Sequence, residues 1–425
     1  MNMQKWLKAG IAGLVTLLAV QGNGAPPAGA YHGTVSRYTM FDGKPRLTVC
    51  GTFSLNTTAR GRTTAKVVLR EQTLSFKAGG WEDAEGTPSV RMESRSGETL
   101  VLVPFGSIEY MVGTLSGGSL GDEKMFIAAT YHAFADQADA AAQAKLARLQ
   151  GYYTVALGSL SVLPRGDAEE TPQGDGYLTM TVGTRGKVKI AGVLADGTKV
   201  SQASTLTTTP GVPFFRPLYR RRGEIGGLLK IDPDTRDVKV DWSQPTVYWD
   251  KLGSGPDGFQ ARLVPLGGYF RKGAPLPEHT GWLDADGNKV AYHLPGGPVM
   301  PQPVMPYGVP VTLAGTRPVV EKGVKPVLSG DGTHYVYTGD NSALATLRYS
   351  PLTGIFRGSF NQYYDYDSGG RLVHKVVKVP FAGVMLRWND GVVNGYGYYL
   401  VPETNPAFRS LRIQHSFWIE LIYYF

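Results

Sequence analysis

Cysteine is almost missing from this chain: Cys50 is the only one in 425 residues. An intramolecular disulfide is excluded, as is a cysteine-rich zinc cluster, so core burial has to hold the fold together. Val49 and Phe53 surround Cys50 with apolar bulk, which fits a buried, inert thiol. Histidine is scarce too. His32, His132, His279, His293, His334, His374 and His415 include no pair at helical or zinc-finger spacing. The Gly-x-Ser-x-Gly elbow of many hydrolases is absent, and Gly253-Ser254-Gly255 lacks its spacing. No sequence pattern sets two acids across a cleft, and Glu169-Glu170 and Asp365-Tyr-Asp367 read as solvated loops. Asp284-Ala-Asp286-Gly287-Asn288 begins like a calcium loop, but no acid follows from Lys289 through Arg317. A hairpin turn between Trp282-Leu283 and Val290-Ala-Tyr292 is the better reading. No catalytic residue, cofactor or metal site is therefore expected.

Charge is thin as well. Only 18% of residues are charged and the formal net charge is +8, too mild a bias for a nucleic-acid footprint. No apolar run reaches the roughly 18 to 20 residues that cross a bilayer as a helix. The longest, Ala9 to Val20, follows Lys5 and Lys8 and precedes the small residues Gly22, Gly24, Ala28 and Ala30. That order is the pattern of a secretory signal, placed at 1–24 with cleavage between Gly22 and Tyr31. An exported protein, periplasmic, cell-surface or extracellular, is the expectation.

What the chain has in quantity is glycine (55), proline (28) and aromatics (16 Phe, 23 Tyr, 7 Trp). Gly and Pro punctuate and aromatics favour pleated surfaces, so many short strands joined by tight turns are expected. Gly51-Thr-Phe-Ser-Leu-Asn-Thr-Thr-Ala-Arg-Gly61 aligns without a gap over Gly176-Tyr-Leu-Thr-Met-Thr-Val-Gly-Thr-Arg-Gly186, an offset of 125, and Val68-Leu69 then falls on Val193-Leu194. Each copy reads as a strand, a turn at Arg-Gly and a returning strand. Asp196-Gly197 adds a second turn signal. Each copy starts on an aromatic strand, Gly29-Ala-Tyr31 or Gly151-Tyr-Tyr153. The expected closing strands are Ile108 to Leu115 in the first, and Gly223 to Leu229 followed by Val238 to Trp242 in the second. Gly267-Gly-Tyr269-Phe270 and Thr353 to Phe360 suggest further, degenerate copies.

The alanine-rich stretch from Asp136 to Gln150 carries acids early and Lys145 and Arg148 late, which suits a connector helix or plug ended by Gly151. Six prolines between His293 and Pro310 mark a linker. The expected organisation is a β unit at 26–132, a helical connector at 133–150, a second β unit at 151–292, a Pro/Gly-rich linker at 293–310 and a C-terminal β unit at 311–425. The fold class is all-β: tandem antiparallel meander barrels or sandwiches with one connector helix. From Leu411 the tail alternates, with Leu411, Ile413, Phe417, Ile419, Leu421, Tyr423 and Phe425 on one parity. A terminal Phe after such alternation is similar to the closing strand of outer-membrane barrels, so a membrane-embedded barrel is the rival reading.

The units Gly151-Tyr-Tyr-Thr-Val-Ala-Leu157, Gly176 to Val182, Gly192-Val-Leu-Ala-Asp-Gly-Thr-Lys199 and Gly395-Tyr-Gly-Tyr-Tyr-Leu-Val-Pro402 resemble an uncharacterised glycine- and aromatic-rich β-repeat module of secreted or cell-surface bacterial proteins. The resemblance covers roughly residues 150 to 420 and brings no catalytic or binding residues with it. Two candidate surfaces come from the residues themselves. Trp242, Trp249, Trp282, Tyr364 and Trp388 offer flat faces for sugars, against the competing reading that large aromatics chiefly fill cores. Arg216, Arg220, Arg221 and Arg222 form the densest basic stretch and suit an anionic partner, against the reading of an exposed loop. The function expected is cell-surface binding or structure without catalysis, with a polysaccharide as partner. A secreted hydrolase with an unrecognised site is the further alternative.

Overall fold

The computed structural model describes residues 28–84, 87–105, 107–164, 171–238, 247–253 and 258–273, then separate strand segments between Trp282 and Ile422. The expected signal segment and the linker at 293–310 lie outside the described residues.

The first nine strands are β1 (Gly29–Phe41), β2 (Lys44–Thr57), β3 (Thr63–Leu69), β4 (Thr73–Ala78), β5 (Glu82–Ala84), β6 (Thr87–Glu93), β7 (Glu98–Phe105), β8 (Ser107–Gly117) and β9 (Met125–Tyr131). They pair antiparallel in the order β4-β3-β2-β1-β9-β8-β7-β6-β5, so the chain meanders until β9 meets β1 and β4 returns against β6. The result is a nearly closed barrel. Period-two alternation fills it: Leu100 and Leu102 of β7 are buried while Thr99 and Val101 are half-buried. Cys50 sits at a bulge in β2, where Val35 pairs Gly51 and Ser36 pairs Val49, and burial pushes its thiol pKa up to about 12. Inert packing is what that environment supports.

One helix follows, α1 (Ala140–Leu149). It starts later than the alanine-rich stretch suggested because Asp139 is its N-cap, the carboxylate accepting from Ala142 N at 2.9 Å. Asp136 stays outside it. Leu146 and Leu149, with Phe134 just upstream, are fully buried in one core with Tyr153, Met180 and Val182 of the next barrel, so the helix acts as its plug.

That barrel comprises β10 (Gly151–Pro164), β11 (Gly176–Val182), β12 (Lys187–Val193), β13 (Lys199–Thr205), β14 (Gly211–Leu218), β15 (Gly223–Lys230), β16 (Asp237–Val238), β17 (Val247–Lys251) and β18 (Phe259–Tyr269). The order β13-β12-β11-β10-β18-β17-β15-β14, with β13 lying beside β14, makes a second meander. Both closing strands differ from the sequence expectation. Ile108 to Leu115 lies in β8, one strand short of closure, and Gly223 to Leu229 lies in β15. The strands that meet β1 and β10 are β9 and β18. Gly267 to Tyr269 is the end of β18 rather than the start of another copy. Closure pairs residues far apart in the chain, which local glycine content does not reveal.

Beyond the barrels lie a short hairpin, β19 (Trp282–Leu283) with β20 (Lys289–Val290), and a seven-stranded antiparallel meander. Its strands are β21 (Lys325–Leu328), β22 (His334–Thr338), β23 (Thr346–Ser350), β24 (Ile355–Asp367), β25 (Leu372–Arg387), β26 (Val393–Pro402) and β27 (Gln414–Ile422). Trp282 pairs Val290 and Leu283 pairs Lys289, while the Asp284–Asn288 segment between them lies outside the described residues. The meander lies on the outside of the second barrel. Val384 and Leu386 pack with Ala156 and Tyr177, and Thr154 Oγ1 donates to Met385 O at 2.8 Å. Ser416 of the tail strand is buried there too, donating to Ala195 O at 2.5 Å. One residue of the tail's supposed polar face is thus covered by protein.

Candidate binding cleft between the barrels

Past the bulge at Val35/Ser36, β1 and β2 run on as a two-stranded arm. Its tip is a two-residue turn at Asp42-Gly43, both in the left-handed region (φ 51° and 66°), the conformation a tight hairpin needs. Side chains alternate across the arm. Tyr38 and Met40 are about half exposed, at 53% and 52%, whereas Phe41 is buried edge-on against Tyr248 of β17, ring centroids 6.2 Å apart. The arm therefore leans on the second barrel. Gly226 makes the close approach possible, since a Cβ there would stand 2.5 Å from Val49 O.

A pocket of about 300 Å³ lies under this arm, lined by Arg37, Thr39, Phe41 and Thr48 from the first barrel and by Glu224, Tyr248 and Gln260 from the second. Its floor is electrostatic. Arg37 Nη2 donates to Glu224 Oε1 at 3.0 Å, and Arg37 Nη1 reaches Glu123 Oε1 at 3.4 Å. Arg70 stands 3.9 Å from both Glu224 Oε2 and Asp250 Oδ2 and bonds Glu71 at 2.7 Å. Two arginines of the first barrel thus hold two acids of the second. Burial raises the Glu224 pKa, and Arg37 and Arg70 only partly oppose that. Glu224 is 7% exposed, yet its Oε2 accepts no hydrogen bond. Oε2 is closed off and stands towards Arg70, so what the pocket offers a ligand is the Arg37–Glu224 pair with the hydroxyl and amide groups beside it.

Of the aromatic residues singled out by sequence, Trp249 is the one whose side chain the structure describes. Trp249 is 1% exposed, its ring 4.6 Å from Phe259 and its Nε1 donating to Tyr219 Oη at 2.9 Å. It is a core residue, which corrects the reading of it as a sugar platform: an amphipathic ring is buried once its N–H has a partner. Trp282 lies in β19 and Tyr364 in β24, with side chains outside what the structure describes. Trp242 and Trp388 fall outside the described residues altogether. The basic stretch is better placed. Arg216 is on β14, and Arg220, Arg221 and Arg222 form the β14–β15 turn, all four exposed.

Sequence reasoning missed the residues that make the pocket. Arg37 and Glu224 are 187 positions apart, and nothing local marks them as partners. Gly226-Gly227 inside a strand was the available signal, since paired glycines there imply that another backbone comes close.

No family model matches the chain, and no curated protein is similar to it.

Proposed function

We propose that this is an exported, non-enzymatic binding protein that takes a saccharide in the cleft between its two barrels, as part of a cell-surface role. The observation that carries the reading is the pocket of about 300 Å³ under the β1–β2 arm, in whose wall Arg37 of one barrel meets Glu224 of the other at 3.0 Å. The paired hydroxyls of Thr39 and Thr48, 2.8 Å apart, and the amide of Gln260 join Phe41 and Tyr248 in the lining, a mixture of polar and aromatic groups that suits a polyhydroxylated ring. The carboxylates of the cleft are committed to arginines, an arrangement suited to holding a neutral polar ligand rather than to proton transfer. Export rests on the basic, apolar and small-residue order of residues 1–30. The two barrels share their register at the aligned residues: Tyr31 pairs Leu55 and Leu55 pairs Ala65, as Tyr153 pairs Met180 and Met180 pairs Ile190. Duplication of one β unit is the origin we read from that.

The test is titration of the full chain, without residues 1–24, against a panel of oligosaccharides, alongside Glu224→Gln and Gln260→Ala. One or more saccharides are expected to bind, with affinity reduced about tenfold or more by Glu224→Gln, the cost of weakening one charge-assisted hydrogen bond. Binding that neither variant changes would place the ligand elsewhere, and a blank panel would remove the saccharide.

A further inference from the structure

The β14–β15 turn reverses the chain through Tyr219 to Arg222, between the paired Leu218 and Gly223. Tyr219, Arg220 and Arg221 have φ of 50°, 56° and 70°, three successive non-glycine residues in the left-handed region. Side chains with a Cβ disfavour that region, where glycine or asparagine is the usual choice. The surroundings impose it. Tyr219 Oη donates to Asp196 Oδ2 at 2.6 Å and accepts from Trp249 Nε1 at 2.9 Å, and the Lys251 ammonium stands 5.1 Å from the centre of its ring. Leu252 N donates to Arg222 O at 2.7 Å, tying down the far end. Arg221 Nη1 donates to Glu71 O, across the junction with the first barrel, at 2.5 Å.

Arg220, Arg221 and Arg222 are exposed on this turn, with Arg216 exposed on the same hairpin and one Arg221 nitrogen held by Glu71 O. Of the neighbouring acids, Glu71 bonds Arg70, Asp250 stands 3.9 Å from Arg70, and Asp196 accepts from Tyr219. Strain retained at an exposed turn, in residues replaceable by glycine, is the usual mark of a preorganised site. We propose that this turn is an anion clamp for the phosphate or sulfate groups of an extracellular polysaccharide. Guanidinium forks match tetrahedral oxyanions bidentately, and fixing the backbone beforehand lowers the ordering cost of binding. A bilayer surface fits less well. The exposed large apolar residues among those described are Tyr38, Met40, Leu47, Tyr110, Leu160, Tyr269 and Leu352, none of them on this hairpin, whereas lipid binding joins charge to apolar insertion. The clamp rests on the export reading above, and not on what the cleft holds.

The experiment measures retention of the full chain, without residues 1–24, on a sulfated polysaccharide and on its unsulfated parent, with vesicles of phosphatidylglycerol as a third arm. Retention on the sulfated polymer alone is expected. The double variant Arg220→Gly and Arg221→Gly should bind at least tenfold more weakly while its Tm stays equal or rises, because glycine relieves the left-handed strain. Arg220→Lys with Arg221→Lys should fall between, since ammonium groups keep the charge and lose the fork. Wild-type retention by the glycine variant, equal retention of the lysine and arginine forms, or equal retention on the unsulfated polymer would each overturn the clamp. Binding to the vesicles without binding to the polymer would overturn the choice of ligand.

Discussion

The two barrels are built on one plan and sealed differently. Where the first strand meets the last, Tyr31 pairs Tyr131 in one barrel and Tyr153 pairs Tyr269 in the other. The tyrosine of the closing strand covers the leading glycine in each case: a Cβ at Gly29 would stand 2.6 Å from the Tyr131 ring, and one at Gly151 would stand 2.5 Å from the Tyr269 ring. Two residues further on, the barrels exchange roles. The first barrel pairs Gly33 with Ala129, whereas the second pairs Val155 with Gly267. The close approach is kept while the strand that supplies the glycine changes. Cross-strand space is a property of the pair, and either partner can provide it.

The remaining differences lie around this shared seam. In the second barrel Arg236 stacks 3.3 Å from the centre of the Tyr269 ring and donates to Gln150 O at 2.7 Å, tying the seam to the end of α1. Gln202 and Ser204 of β13 bond Pro213 O across the gap to β14, and Gln202 Oε1 accepts from Phe215 N. Side chains there replace a ladder that Pro213 cannot complete, because it has no N–H. In the first barrel the matching gap between β4 and β6 is closed from within by Leu74, Phe76, Val90 and Met92. Its end is fastened by Glu98, whose carboxylate accepts from the hydroxyls of Ser94, Ser96 and Ser119.

Breaking the seam should have the largest effect. A Cβ at Gly33 would stand 1.9 Å from Ala128 O, and one at Gly267 would stand 2.1 Å from Thr154 O. Gly33→Ala and Gly267→Ala should each cost about 3 to 5 kcal/mol, because the obstruction is backbone and cannot swing aside. Urea unfolding followed by hydrogen exchange should place the loss in the mutated barrel and leave the other's protection intact. Equal loss in both would mean that the barrels unfold as one.

Acid should separate the junction from the first barrel. His32 lies edge-on to His132, ring centroids 5.4 Å apart, where β1 and the connector meet the second barrel. Burial, then His132 and Lys187, lower the His32 pKa from 6.5 to about 4, and burial lowers that of His132 as well. The unfolded chain therefore binds protons that the folded one refuses, so stability is complete above pH 6.5 and falls as pH drops toward 4. The loss should be on the order of 2 kcal/mol. For Glu98 burial acts to raise the pKa, but the serine hydroxyls outweigh it and bring the value to about 2, so its contribution is lost only between pH 4.5 and 2. A Tm series against pH should show two steps. His32→Gln with His132→Gln should flatten the upper one alone, and persistence of that step would assign it elsewhere.

The smallest effect belongs to the side-chain bridge. Gln202→Ala should cost about 1 to 2 kcal/mol, seen as faster exchange of the Phe215 amide, with the first barrel unaffected.

Much of the fold was legible because its signals are local. Arg60-Gly61, Arg185-Gly186 and Asp196-Gly197 sit in the turns the sequence marked, with Gly61, Gly186 and Gly197 all at positive φ. The helix was legible from its alanines and its charge order, though its start at the Asp139 cap was not. The site was not. A tryptophan's composition signal is the same whether it faces a sugar or, as Trp249 does, a core. The arginine stretch could be read as exposed, but its left-handed backbone comes from Asp196, Trp249 and Lys251, which lie elsewhere in the chain.

The sequence by itself determined the all-β class, the turns, the alternation that fills each barrel and the absence of an intramolecular disulfide. All of these depend on residues within a few positions of one another, where backbone sterics and side-chain period act directly. Only the tertiary structure decided which strands close the barrels, which glycine makes room at each seam, and which charges meet in the cleft. Those outcomes depend on long-range pairing, where a residue's role is set by whatever the rest of the chain brings against it.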